Sequence, residues 1–253
     1  MKSLRHLVIR LARAAKRVLI ASRSHRVLEI FSPLLTRLVF GSKLSLWCAE
    51  HGSRMTLVRP GHVPADRYDL YELVASGELQ DQPVTFLEFG VGAGHSFRWW
   101  ADRLTHPDSR FVGFDTFSGL PEKWGVHSRG AFSTSGEVPA IRDSRCAFHA
   151  GLFQETLPGF LSTLRTPYRK VIHLDADLYS STLFVLTSLA PMLAEGDVLL
   201  FDEFNVPTHE FRAFTDFVAA YALHYEVLGA ARNFHHVALR VTGPGEEGGG
   251  ASK

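Results

Sequence analysis

Residues 172–182 read IHLDADLYSST and residues 199–204 read LLFDEF. Each stretch sets an acid at the end of a short apolar run, Asp175 in one and Asp202 in the other, with Asp177 and Glu203 just beyond. Short apolar runs bounded in this way read as buried strands. If the two strands are neighbours, as their order in the chain suggests, up to four carboxylates converge beside one crevice. Mutually repelling anions are strongly unfavourable there unless a positive charge sits among them. A divalent cation is the simplest such charge, and an all-oxygen donor set favours Mg²⁺ over zinc or copper. The competing reading is structural: Asp177 or Ser180 caps a helix over 181–194, and Asp202 caps the last helix.

A second constellation lies upstream, in FLEFGVGAGHS over residues 86–96. In an open parallel sheet, ligands sit beyond the carboxyl ends of the strands, and a nucleotide comes closest to the backbone at the first strand-to-helix turn. Gly90, Gly92 and Gly94 occupy that turn. The dinucleotide fingerprint would place its third glycine at position 95, which is His95, so a dehydrogenase is disfavoured. The pattern is instead acid-x-G-x-G-x-G, led by Glu88, and it resembles motif I of the class I S-adenosylmethionine-dependent methyltransferases. The resemblance implies a cofactor cradled by Gly90, Gly92, Gly94, His95 and Ser96, with Glu88 helping to hold its charged amine. Asp115, at the end of the next apolar strand with Thr116 behind it, is placed to accept hydrogen bonds from a ribose diol. Read structurally, the glycines form a turn, Glu88 is a solvated strand residue and Asp115 is a helix cap.

These residues need a scaffold, and the texture from residue 80 onward supplies one. Strands are expected at 84–89, 110–115, 146–150, 170–175 and 197–202, alternating with helices at about 95–105, 153–165, 181–194 and 208–223. Such alternation demands crossovers and a mostly parallel sheet covered on both faces, an α/β doubly wound, Rossmann-like, seven-stranded architecture. Residues 224–228 and 234–241 have hairpin spacing, so the last strand enters antiparallel. Thr116–Ser144 has no sustained period and follows a strand at its carboxyl end, which marks it as a lid over the crevice.

The first 80 residues read as a helical extension. Eight Lys or Arg residues lie between Met1 and Arg26 with no acid before Glu29, and apolar residues recur at helical spacing from Leu4 to Leu19. This basic amphipathic helix is too interrupted for a secretory signal or a bilayer span. Packing on the domain or on a second subunit, giving a homo-oligomer, is the preferred reading, and attachment to an anionic membrane surface is the other. Pro33 is expected to break the helical region, residues 41–60 have no clean period, and another helix follows over 66–75. The main domain spans 81–242, and residues 243–253 are too polar and glycine-rich to fold. A formal net charge of +1 over 253 residues gives no reason to expect nucleic acid as a partner. Two distant cysteines, Cys48 and Cys146, form no disulfide framework and point to a cytoplasmic setting.

The runs FVGFDTFSGLPEKW (111–124), GLFQETLPGFL (151–161) and LDADLYSSTLFVLTSLAPMLAEGDVLLFDEF (174–204) are similar to the macrocin O-methyltransferase family, over roughly residues 80–240. That resemblance implies methylation of a sugar hydroxyl on a natural product, with Mg²⁺ held by Asp175, Asp202 and Glu203. The family usually has two aspartates where this chain has Asp202-Glu203. Asp175 or Asp177 is then the base that takes the proton of the acceptor hydroxyl. The rivals are a metal-independent methyltransferase, a nucleotide-binding module without catalysis and a carbohydrate binder without turnover. Among the histidines, His173 reads as a core or supporting residue, His235-His236 as structural, and His95, His127 and His209 as weak candidates.

Overall fold

The computed structural model describes residues 2–55, 58–59 and 63–243. It divides into two compact units, Met1–Lys43 and Leu44–Lys253. The glycine-rich end, for which no fold was expected, lies outside the described residues from position 244 onward.

The first unit holds helix α1 (Lys2–Ala21) and the start of helix α2 (His25–Met55). The chain turns at Ser22–Ser24, where Arg23 takes a left-handed backbone (φ +51°), and the helix resumes with the Val27 and Leu28 amides bonded to the Ser24 carbonyl. The expected break at Pro33 does not occur, because a proline removes one ladder donor and α2 retains the rest of its bonds. Residues 41–55, which lack a clean period, are helical as well. Tertiary contact overrides local preference there: Trp47 is buried, its Nε1 donates to the Tyr225 hydroxyl at 2.9 Å, and its ring meets Phe204 at 4.8 Å.

The second unit is built on a seven-stranded sheet of β1 (Val84–Phe89), β2 (Arg110–Asp115), β3 (Cys146–Ala150), β4 (Arg169–Leu174), β5 (Val198–Phe201), β6 (His224–Ala231) and β7 (His236–Thr242). Its spatial order is β3-β2-β1-β4-β5-β7-β6. The first five strands pair in parallel, β7 runs antiparallel to β5, and β6 forms a hairpin with β7. The doubly wound sheet with an antiparallel last strand is thus the one expected from the sequence. The strand order reverses between β1 and β4, which puts the switch point at the paired ends of those two strands.

Alternation along each central strand builds two cores. Leu87, Phe89, Ile172, Leu174, Leu199 and Phe201 face one layer, with α5 (Phe153–Thr163), α6 (Tyr179–Leu189) and α7 (Glu210–Tyr221). Phe86, Phe111, Val171, Val198 and Leu200 face the other, with α3 (Arg67–Leu73) and α4 (His95–Arg103), where Tyr71 and Trp100 are fully buried. Central parallel strands buried on both faces are why these runs are apolar almost throughout. Helix α3 starts at a capping box, with Asp66 accepting from the Tyr68 and Asp69 amides, and it gives way to a π turn at Val74–Leu79. Cys48 and Cys146 are free and half-buried.

Candidate active site

The three glycines are required for three different reasons. Gly90 has a φ of +95°, and a Cβ built on it would lie 1.8 Å from the Asp175 carbonyl oxygen, so the turn after β1 is pressed against the end of β4. Gly92 (φ +52°) faces open space, and its N–H donates to Asp115 Oδ2 at 2.7 Å. Gly94 lies under the Pro139 ring and sits at the N-cap of α4. Only Gly90 and Gly92 line the pocket that opens above these strand ends.

That pocket has a volume of about 280 Å³ and lies at the carboxyl ends of β1, β2, β4 and β5. Asp115 anchors one side: its second oxygen accepts the Phe117 amide at 2.7 Å, so the carboxylate is aimed by two backbone donors while keeping further acceptor capacity. Thr116 lines the same side. The irregular segment 116–144 contributes Gly119, Leu120, Pro121, Trp124 and Phe132 to the wall, as expected of a cover. It is tied to itself through the Phe117 carbonyl, which accepts from the Thr134 and Gly136 amides, and through Leu120, which exchanges backbone bonds with Gly130 and Ala131. Trp124 stacks on His127 and meets His209 edge-on at 6.4 Å, which places both histidines behind the aromatic wall.

The acids occupy the opposite side. The Asp175 amide donates to the Phe89 carbonyl and the Asp202 amide to that of Leu174, which extends the ladder by one residue per strand. Asp175, Asp177 and Glu203 each bring an oxygen within 4.8 Å of the others. Asp177 has a left-handed backbone (φ +57°), a conformation that aspartate adopts more readily than most residues. Burial, followed by its neighbour Asp202, pushes the Asp175 carboxyl well above the usual carboxylate range. Burial and the same neighbour raise Asp177 to about 7. Burial, Asp175 and Glu210 push Glu203 up to about 12. Glu203 Oε2 is buried with no hydrogen-bond partner among the described residues, while the Glu203 amide donates to the buried Glu210 carboxylate at 3.0 Å.

Asp202 lines the same pocket and also meets a second group of residues. Its carboxylate is 1 % exposed and lies 3.0 Å from His236 Nδ1, 3.8 Å from His173 Nε2 and 2.9 Å from Arg67 Nη2. Although burial opposes ionisation, His173 and His236 outweigh it and hold Asp202 well below the ordinary range. Burial likewise opposes the charge on His173, yet Asp202 and Glu88 raise its pKa to about 10. Tyr71 closes the group from α3, its hydroxyl 3.1 Å from His173 Nε2. Asp202, expected beside Asp175 and Glu203 in one ligand set, lines the same pocket as both and shares the Arg67 guanidinium with Asp175.

Of the remaining expected cofactor contacts, Glu88 is fully buried, accepts from the Ser96 hydroxyl and lies 3.5 Å from His173 Nδ1. Glu88, Gly94, His95 and Ser96 therefore do not line the pocket: β1 is covered on both faces, so the Glu88 side chain turns inward, and His95 is exposed at the start of α4. Sequence reasoning missed Arg67, Tyr71 and His236. Arg67 and Tyr71 sit in an ordinary capped helix, and nothing local to them signals that they reach the strand ends.

Residues 87–204 match the family model described as a methyltransferase domain. The chain is similar in structure to CalS11, a calicheamicin methyltransferase, with 23% identity, 69% of this chain and 80% of that chain covered and a TM-score of 0.55. It is also similar to the O-methyltransferase NovP, with 20% identity, coverage of 70% and 79% respectively, and a TM-score of 0.53. No curated protein sequence matches it. The matched segment begins within β1 and ends at Phe204, just past β5, so it spans the glycine turn, Asp115 and the acid cluster, and this part of the chain is similar to a methyltransferase domain.

Proposed function

We propose that this protein is an O-methyltransferase that acts on a hydroxyl of a small molecule, of sugar or natural-product type, with Mg²⁺ assisting. The observation that carries the reading is the convergence of Asp175, Asp177 and Glu203 on one point at the rim of the pocket. The donor set fits a hard divalent cation: every atom is a carboxylate oxygen, Glu203 Oε2 is buried without a partner among the described residues, and burial together with the neighbouring acids pushes all three carboxyls upward. Asp175, Asp177 and Glu203 would hold the ion, and Asp202 would stand behind it, paired with Arg67 and His236.

S-adenosylmethionine supplies an electrophilic methyl group on a sulfonium. Mg²⁺ supplies a local positive charge that lowers the pKa of a nearby hydroxyl. This chain supplies position and a proton acceptor. Asp115 and the Gly92 turn hold the ribose end, with Asp115 aimed by its two backbone donors. Trp124 and Phe132 form an apolar wall against which a ring packs and from which water is excluded. Asp177, with one oxygen in the cluster and a second beside it, takes the acceptor proton. Gly90 locks the cofactor side and the acid side in register.

Calorimetric titration of S-adenosylhomocysteine, with and without Mg²⁺, tests the proposal alongside an Asp175→Asn variant. Saturable binding is expected, together with Mg²⁺ binding that the variant loses; absence of cofactor binding would overturn the reading. One observation favours metal-independent transfer instead: Arg67 lies 3.8 Å from Asp175 and 2.9 Å from Asp202 and could provide the positive charge. Turnover that survives exhaustive chelation would select that alternative.

A further inference from the structure

Ten of the 27 Lys and Arg residues lie in the first 43 positions, against the single acid Glu29, whereas residues 44–253 hold 17 against 25. A net charge near zero thus conceals a strongly basic helical unit joined to an acidic domain. Within α1 the apolar residues Leu4, Leu7, Val8, Leu11, Val18 and Leu19 recur at three- and four-residue spacing and form one face, while Arg5, Arg10, Arg13, Lys16 and Arg17 lie on the other side with Ile9 and Ile20. No residue from Leu4 to Arg23 is buried, and Leu4 and Val18 are each 67% exposed. Past the turn, Ile30, Phe31 and Leu34 of α2 are also at least half exposed.

We propose that α1 docks in the plane of an anionic lipid surface, its apolar face in the acyl boundary and its basic face on the headgroups. Two copies of this helix would pair poorly. Helical dimers of this kind use opposite charges beside the apolar seam, and α1 has no acid to offer, so self-association would bring like charges together. A leaflet of acidic headgroups complements both faces at once, with each basic residue contributing to the attraction. Spanning is not available, since no helix among the described residues is long and apolar enough to cross a membrane. The consequence for the reaction is an enzyme held at a surface where a partly apolar acceptor also accumulates.

The test is co-sedimentation of the full chain with vesicles of phosphatidylcholine alone and of phosphatidylcholine carrying about 30% phosphatidylserine. Binding is expected only to the acidic vesicles, with a loss of at least about tenfold between roughly 0.1 and 0.5 M salt. The triple variant Arg10→Glu, Arg13→Glu, Arg17→Glu should lose a similar factor. A second variant, Leu7→Ser, Leu11→Ser, Val18→Ser, keeps the charge and should also release the protein, which separates docking from simple ion attraction. Both sets lie within the first unit, so the thermal unfolding of the second unit should be unchanged. Equal binding to neutral vesicles, or no binding to acidic ones, would overturn the proposal. So would a concentration-dependent dimer in sedimentation velocity that the serine variant abolishes, which would give the face to a second copy.

Discussion

Asp202 and its sequence neighbour Glu203 are both held from solvent at the end of one strand, yet their carboxyls are pushed in opposite directions. Asp202 has Arg67, His173 and His236 around it and is held ionised; Glu203 has Asp175 and Glu210 and is pushed up to about 12. Burial acts on both with the same sign, so the sign of the nearest charges decides the outcome. One acid is matched by positive groups within the chain. The other belongs to a cluster whose charge is left for something external to balance.

The largest effect should therefore separate stability from function. Asp202→Ala would strand Arg67, His173 and His236 and is expected to cost about 3–5 kcal/mol in urea unfolding, with Mg²⁺ affinity much less affected. Asp175→Asn should do the reverse: unfolding stays near wild type, or shifts toward greater stability as repulsion is relieved, while Mg²⁺ binding disappears from calorimetry and kcat/KM falls at least about 100-fold. Asp177→Asn tests the proton acceptor and should also lower Mg²⁺ affinity, because the same carboxylate is one of the three proposed ligands. It should lower kcat by about 100-fold while leaving S-adenosylhomocysteine affinity within about threefold; a large loss of cofactor affinity instead would place Asp177 on the cofactor side. The smallest expected effect is that of Gly92→Ala. A side chain there meets only open space, so the left-handed backbone should cost about 1 kcal/mol in unfolding, against a larger loss for Gly90→Ala, where the new methyl would collide with the Asp175 carbonyl.

Legibility followed the range of the interactions. Strands 84–89 and 110–115 were readable to the residue, because each is a short, mostly apolar run bounded by turn-forming residues. Helix α2 was not, because Pro33 and Gly41 are local breakers and the contacts that override them, from Trp47 to Tyr225 and Phe204, join parts of the chain far apart in sequence. The same limit governs the acids. That Asp175, Asp177, Asp202 and Glu203 gather at adjacent strand ends followed from their spacing. Which of them face one another depends on Arg67 and His236, which arrive from a helix before the sheet and from its last strand. Glu88 likewise has partners that its spacing does not signal: its carboxylate accepts from the Ser96 hydroxyl and lies beside His173.

The contact between Gly90 and the Asp175 carbonyl also bears on how such an enzyme could be redesigned. Because the cofactor turn and the first acid of the cluster share one van der Waals surface, they form a single rigid part that tolerates little editing. Segment 116–144 forms much of the opposing wall and is held largely by its own backbone bonds around Phe117 and Leu120. Acceptor range is therefore best altered by exchanging that segment as a cassette, with the turn and the acids left untouched.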